Sequence, residues 1–337
     1  MCMEERVLVV GPGAIGALMA ARIAGAGTAV AVAVRSPGKA EALRASGVVA
    51  VDLQGQEHRA SVPVVHDAQG LPWRPTMLIV ATRCDQAQAA LAAWRDACDP
   101  DAALVCVQNG VLGDRLMPLA DVRLVMATVG FPATLEGPGR SVQTGPGSLH
   151  TGPWPGGSSP HATRAVAVLA CVATTHASGN MRGVAWTKLL INSAVTSLGA
   201  LTGCTMGDMM RDARARRAFV RLFEEGRAVG RAAGVRFEKV SGVHPDLIHR
   251  AQRWGLADRL LRFIGRKYER MKSSSLQAVE RGQQSEVAYL NGHVVEAAAR
   301  HGLDAPCHAA VVDLVGAVDA GRLEPSLDLL DRLPSVH

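Results

Sequence analysis

The stretch RVLVVGPGAIGALMAARIAGAG, residues 6–27, decides the fold. Val7 to Val10 is a short β-branched run suited to a buried strand, and an alanine-rich helical segment follows until Gly25 or Gly27 stops it. Between them, Gly11-Pro12-Gly13-Ala14-Ile15-Gly16 fits GxGxxG at the strand-to-helix junction. Gly11 permits the tight turn, Gly13 lets the backbone approach a pyrophosphate, and Gly16 lets the helix pack closely. The helix N-terminus turns free N–H groups toward the phosphates. A tight turn without a ligand would use the same residues, but the flanking strand and helix favour dinucleotide binding. AVAVAV, residues 29–34, is the next strand and completes the start of a βαβ unit.

The end of that second strand separates the two nicotinamide cofactors. A carboxylate there would hold the ribose 2′-hydroxyl of NAD, but here the chain reads Arg35-Ser36, with Lys39 beyond and no carboxylate before Glu41. A guanidinium suits the 2′-phosphate of NADP, so NADPH is the expected cofactor, against the plainer reading of a surface arginine. MLIVATRCDQ (77–86) and ALVCVQNGV (103–111) read as strands running out into loops. Ligands of open α/β sheets lie outside the carboxyl ends of the strands, which makes Arg83 and Asn109 candidates for touching cofactor or substrate. A later strand lies in 123–134, and the glycine- and proline-rich 136–160 suggests short strands and tight turns.

From about residue 161 the patterning is helical. HATRAVAVLACVA reads as a last crossover helix and THASGNMRG as the passage between domains. The expected architecture is α/β: a Rossmann-type dinucleotide-binding domain over 1–180, then an all-helical domain over 181–330 that carries substrate and catalysis. A cleft between two such domains is the usual place for cofactor and substrate to meet. Within the helical part, AWTKLLINSAVTSLGAL (185–201) has one odd residue. Leu190, Ala194, Leu198 and Leu201 form a buried stripe, whereas Lys188, Asn192 and Thr196 recur at i, i+4, i+8 nearly opposite. No formal charge follows Lys188 until after Gly207, so its ammonium faces either solvent, by snorkelling, or a site.

Composition narrows the alternatives. The 337 residues exceed a comfortable single core, and a net charge of +6 favours anionic partners only weakly. No basic run is interleaved with aromatics, and RDARARR (211–217) reads as a solvated helix face, so nucleic acid is not expected as a partner. Seven scattered cysteines with no CxxC suit a reducing compartment, and an acidic start running into a strand leaves no signal peptide; a cytoplasmic protein is expected. The uncharged run after Lys188 carries asparagine, serines, threonines and glycines and makes a poor membrane span. Neither GK[ST] nor HExxH is present, which argues against phosphotransfer and zinc hydrolysis. His301 and His308 straddle Gly302 and Pro306 and are expected at the surface.

GPGAIG near the N-terminus, QNGV at 108–111, WTKLLIN at 186–192 and SSLQAVERGQQSEVAYLNG at 274–292 together resemble the ketopantoate reductase family of NADP-dependent 2-oxoacid reductases over nearly the whole chain. The resemblance implies a catalytic role for Lys188, facing the carbonyl that is reduced, and cofactor and substrate contacts for Asn109. It implies substrate binding by Asn192 and by Ser274, at the carboxylate region, and places Glu286 near the nicotinamide end as a second catalytic and cofactor residue. Ala133 would be a backbone cofactor contact, Arg35 the 2′-phosphate residue, and Arg83 a stand-in for a lysine over the cofactor. The glycine-loop residues Gly11 to Gly16 would line the pyrophosphate. The resemblance leaves a homodimer open beside a monomer.

Two substrate-side positions depart from the family pattern, where asparagines are usual: Thr196 and Met206. A threonine hydroxyl lacks the two-donor reach of an amide, and methionine offers no donor. The expected activity is therefore NADPH-dependent reduction of a small-molecule 2-oxo acid, with 2-dehydropantoate the default. The alternatives are a different 2-oxo or 2-hydroxy acid and a non-catalytic NADP-binding sensor, against which Lys188, Asn192, Ser274 and Glu286 together speak.

Overall fold

The computed structural model describes residues 4–334, so Cys2 and the first residues of the chain lie outside it. The chain divides into two compact units that part between Val184 and Ala185.

In the first unit the strands are β1 (Arg6–Val10), β2 (Ala29–Ala33), β3 (Val48–Val51), β4 (Glu57–Ala60), β5 (Val64–Val65), β6 (Met77–Val80), β7 (Ala103–Cys106), β8 (Leu124–Val129), β9 (Ala133–Gly137), β10 (Arg140–Gln143), β11 (Leu149–Pro153) and β12 (Thr175–Ala177). One sheet runs β12-β11-β8-β7-β6-β1-β2-β5. From β5 to β8 all neighbours are parallel, and their sequence order is the 3-2-1-4-5-6 arrangement of a dinucleotide-binding Rossmann sheet. Strands buried on both faces need apolar residues at every position, which is why VLVV, AVAVA and MLIV show no alternation. β11 closes onto β8 antiparallel, and β12 pairs parallel with β11. The segment THASGNMRG, expected as a plain connection, thus begins by adding a strand.

The glycine- and proline-rich stretch supplies β9 and β10, which join β3 and β4 in a second, four-stranded sheet. That sheet is fastened to the helix Ala14–Gly25. The buried Ser141 hydroxyl donates to the Ala14 carbonyl at 2.5 Å, and Arg22 donates to the Gln143 Oε1 at 2.9 Å.

The second unit is helical. Its central helix, Met181–Thr202, begins earlier than the apolar stripe suggested, and the division between units falls inside it. Among the described residues it is the one helix long and apolar enough to cross a membrane, and 83% of its most apolar window is buried within the fold. Helical patterning runs on through three points at which the helix breaks. Asp212 separates Met206–Arg211 from Ala213–Ala232, its carboxylate accepting from the Arg214 and Ala215 N–H groups. Gly255, at φ 67°, lies between Pro245–Arg253 and Ala257–Lys267. Gly282, at φ 64°, follows Ser274–Glu280 before Val287–Arg300 begins. Pro306–Asp319 opens on a proline, whose missing N–H has no partner to lose in the first turn.

Candidate active site

In the first unit the carboxyl edge of the parallel sheet is tied together by short backbone contacts. The Gly11 N–H donates to the Ala33 carbonyl at 3.1 Å, the Ala81 N–H to Val10 at 2.8 Å and the Val107 N–H to Val80 at 3.1 Å. Buried Gln108 adds two bonds from its amide nitrogen, to Val80 at 2.8 Å and Thr82 at 3.1 Å, which couple the exits of β6 and β7. Asn109 follows, half-buried, its carbonyl accepting from the Cys84 thiol at 3.3 Å, and Gly110 turns the chain at φ 80°.

The glycines of the first loop have separable tasks. Gly11 sits at φ 90°, where an L side chain is strained, and a Cβ at Gly16 would stand 2.1 Å from the Gly11 carbonyl oxygen. A Cβ at Gly13 would meet nothing within 4 Å. The loop therefore needs Gly16 for its own packing, whereas Gly13 leaves space beside the helix start. That helix has Gly13 as its N-cap and no side chain capping its first N–H groups. An uncapped N-terminus over open space fits an anionic pyrophosphate. Pro12, Ala14 and Ile15 are half-buried around it.

Arg35 is exposed just beyond β2 and makes no ion pair among the described residues. Arg83 is drawn toward Asp85 at 3.3 Å. Ala133 opens β9, opposite Gln143.

In the second unit, Lys188 is half-buried on the central helix, and burial pulls its pKa down to about 8. The helix is braced nearby. The buried Thr187 hydroxyl donates to the Glu238 carbonyl at 2.7 Å, and the Trp186 ring packs edge-on against His293, centroids 5.4 Å apart. One turn on is Asn192, half-buried. Thr196 is different: it is buried, and its hydroxyl donates to the Asn192 carbonyl at 2.7 Å. Its single proton is engaged within the helix.

Ser273 and Ser275, on either side of the expected Ser274, are buried, and Ser273 is the one that bonds to the central helix. Its hydroxyl donates to the Thr196 carbonyl at 3.2 Å and accepts from the Leu276 N–H as an N-cap, while Ser274 is exposed on the first turn. Glu286 is half-buried at the N-cap position of Val287–Arg300. Met206 is buried, its N–H donating to the Met271 carbonyl at 2.9 Å.

The expectation for His308 is corrected. It is fully buried, not at the surface, while His301 is exposed. Glycine at 226 leaves the room: a Cβ there would stand 3.2 Å from the His308 Nε2. The ring bridges Asn291 Nδ2 at 3.1 Å and the Leu222 carbonyl at 2.9 Å, which fixes one neutral tautomer with Nε2 protonated. Asn291 continues to the Ser193 carbonyl at 3.0 Å and accepts from the Ser197 hydroxyl at 2.5 Å. This buried network holds the face of the central helix opposite Lys188. Sequence alone hides it, because only the three-dimensional meeting of four helices gives those polar groups partners. Among the described residues no group of His, Cys, Asp and Glu could hold a metal ion.

Residues 7–156 match the model of the family described as ketopantoate reductase PanE/ApbA, and residues 180–319 match its C-terminal domain. The 2-dehydropantoate 2-reductase of Archaeoglobus fulgidus is 25% identical over 322 residues, covering 94% of this chain and 99% of that one. Among solved structures, a PanE/ApbA family ketopantoate reductase from Ralstonia eutropha superposes with a TM-score of 0.79 at 24% identity, over 94% of this chain and 98% of that one. D-mandelate dehydrogenase, in a ternary structure with NADH and anilino(oxo)acetate, reaches 0.79 at 16% identity, over 94% and 99%.

Proposed function

From the premise that this chain belongs to the ketopantoate reductase family, and is an oxidoreductase acting on CH–OH groups, we propose that it reduces a 2-oxo acid with NADPH, 2-dehydropantoate being the default substrate. Bound NADPH supplies the hydride. The chain's own residues supply the rest. The uncapped helix N-terminus and the open space at Gly13 receive the pyrophosphate, and the exposed Arg35 guanidinium receives the 2′-phosphate, with Arg83, Asn109 and Ala133 as further cofactor contacts.

Lys188 stabilises the negative charge that develops on the carbonyl oxygen and delivers the proton that makes the hydroxyl. The observation that carries the proposal is the glycine loop beneath an uncapped helix start, in a chain that matches the family over both of its parts; burial of Lys188 lowers its pKa to about 8, which keeps the ammonium charged at neutral pH yet able to give up its proton. Asn192, one turn along the same face, orients the substrate, Ser274 binds its carboxylate, and Glu286 holds the nicotinamide end and the lysine in register. The setting is cytoplasmic.

One observation favours a substrate poorer in hydroxyls than 2-dehydropantoate. With its proton engaged by the Asn192 carbonyl, Thr196 can only accept from a substrate hydroxyl, and Met206 offers no donor, so these two positions give fewer polar contacts than two amides would. The purified protein should be followed by NADPH absorbance with 2-dehydropantoate, 2-oxoisovalerate, benzoylformate and pyruvate, with NADH as control. Turnover of one acid with NADPH, lost in Lys188→Ala, supports the proposal. Tight NADPH binding without turnover of any acid would overturn it.

A further inference from the structure

The helices Pro245–Arg253 and Ala257–Lys267 have an outer face that the fold does not use. Their inner residues pack closely: Pro245, Ile248, Ala257 and Leu261 are buried, and a Cβ on Gly265 would stand 2.3 Å from Met210. Outward lie Leu247 (56% exposed), Trp254 (71%), Leu256 (43%) and Phe263 (65%). They are ordered by helical spacing. Leu247 and Trp254 are seven apart on the first stripe, Leu256 and Phe263 seven apart on the second, and only Gly255, at φ 67°, separates Trp254 from Leu256 in the chain.

The charge around them is one-sided. Across the two helices and the segment after them, residues 245–270 hold seven arginines and lysines against three aspartates and glutamates. The carboxylates of the two helices and the segment after them are already taken. Asp246 pairs with Arg227 and Arg231, Asp258 with Arg216 and Arg262, and Glu269 with Arg211. Arg250, Arg253, Arg259, Arg266 and Arg270 are exposed and form no ion pair among the described residues. Arg250 and Arg259 fall within the apolar stripes themselves.

We propose that this helical pair is a peripheral docking surface for an anionic lipid bilayer, with Leu247, Trp254, Leu256 and Phe263 entering the headgroup layer and the arginines meeting lipid phosphates. The chemistry excludes the nearest alternatives on two counts. A second copy applied to this face by a twofold axis would set one strongly basic surface against another. A nucleic acid would use aromatic platforms along a continuous groove, whereas here Leu247 and Leu256, which stack on no base, are interleaved with Trp254, Phe263 and Tyr268 on helical stripes. Bulky apolar residues within a basic helical surface are instead the composition of helices that lie in a membrane interface. The protein would rest on the bilayer by this face, with its central helix remaining in the core.

The test is flotation of the full-length protein with phosphatidylcholine vesicles, with and without phosphatidylserine. Binding is expected only to the phosphatidylserine vesicles and should fade as salt shortens the Debye length. Trp254→Ser combined with Phe263→Ser should lower partitioning by at least about tenfold, with circular dichroism and NADPH affinity unchanged. Absence of flotation at low salt would overturn the proposal. So would partitioning that the double variant leaves intact, since that is charge attraction alone. A dimer of the wild-type protein that the double variant dissolves would assign the face to a second copy instead.

Discussion

Replacing Lys188 by methionine removes a charge and keeps the length and flexibility of the side chain. Burial lowers the pKa of Lys188 from 10.5 to about 8, so the folded state holds the ammonium at a cost of about 3 kcal/mol relative to the unfolded chain. Water reaching the half-buried stem trims the gain expected from removing it to about 2 kcal/mol. The sign follows from proton counting. Between about 8 and 10.5 the unfolded chain binds the proton that the folded one has released, so wild-type stability rises with pH across that window. Lys188→Met should therefore be more stable than wild type at neutral pH, and the difference should close as pH approaches 10.5, while turnover is lost. Urea unfolding of both proteins at several pH values measures this directly. A Lys188→Met protein no more stable than wild type at pH 7, or a difference that does not change with pH, would refute the claim that the ammonium is held against its solvation.

Other outcomes can be checked independently. Gly13→Ala should fold normally and lose NADPH affinity in a titration, because its Cβ meets only the space left for the phosphates, whereas Gly16→Ala should also lower the melting temperature through the 2.1 Å clash with Gly11. Arg35→Asp should shift the preference from NADPH toward NADH by roughly 1–2 kcal/mol, read as the ratio of kcat/KM for the two cofactors. His308, whose pKa burial lowers from 6.5 to about 4, favours the fold fully above about 6.5 and loses up to about 3 kcal/mol as pH falls through that window. His308→Gln should flatten that acid limb of the stability curve. Thr196→Asn should raise kcat/KM for 2-dehydropantoate relative to its analogue without the 4-hydroxyl, a ratio measured in one assay.

Much of the first unit was legible in the sequence because its signals are local. A strand, a glycine turn and a helix within residues 6–27 state their own arrangement, and unbroken apolar runs mark strands covered on both faces. The lysine also stood out, because one charge beside a long uncharged segment breaks the usual pattern of a helix. The breaks at Asp212, Gly255 and Gly282 were hidden by periodicity that continues across them; the cap that Asp212 makes is seen only in the fold. β12 is three residues long, and nothing local distinguishes THA from a loop until β11 provides its edge. His308 was misread because a polar residue near glycine and proline looks exposed; its partners come from distant helices. Thr196 shows the same limit at the site: the sequence gives a hydroxyl, and only the structure shows where its proton points.

The pH dependence of kcat/KM for NADPH-driven reduction of the preferred 2-oxo acid tests the central claim most directly. A general acid with the pKa of Lys188 should hold the rate level at neutral pH and let it fall through an inflection near about 8, and Lys188→Ala should lose both the rate and the inflection. A rate that stays level to about pH 10, or an inflection that survives in Lys188→Ala, would contradict the assignment of the proton to Lys188.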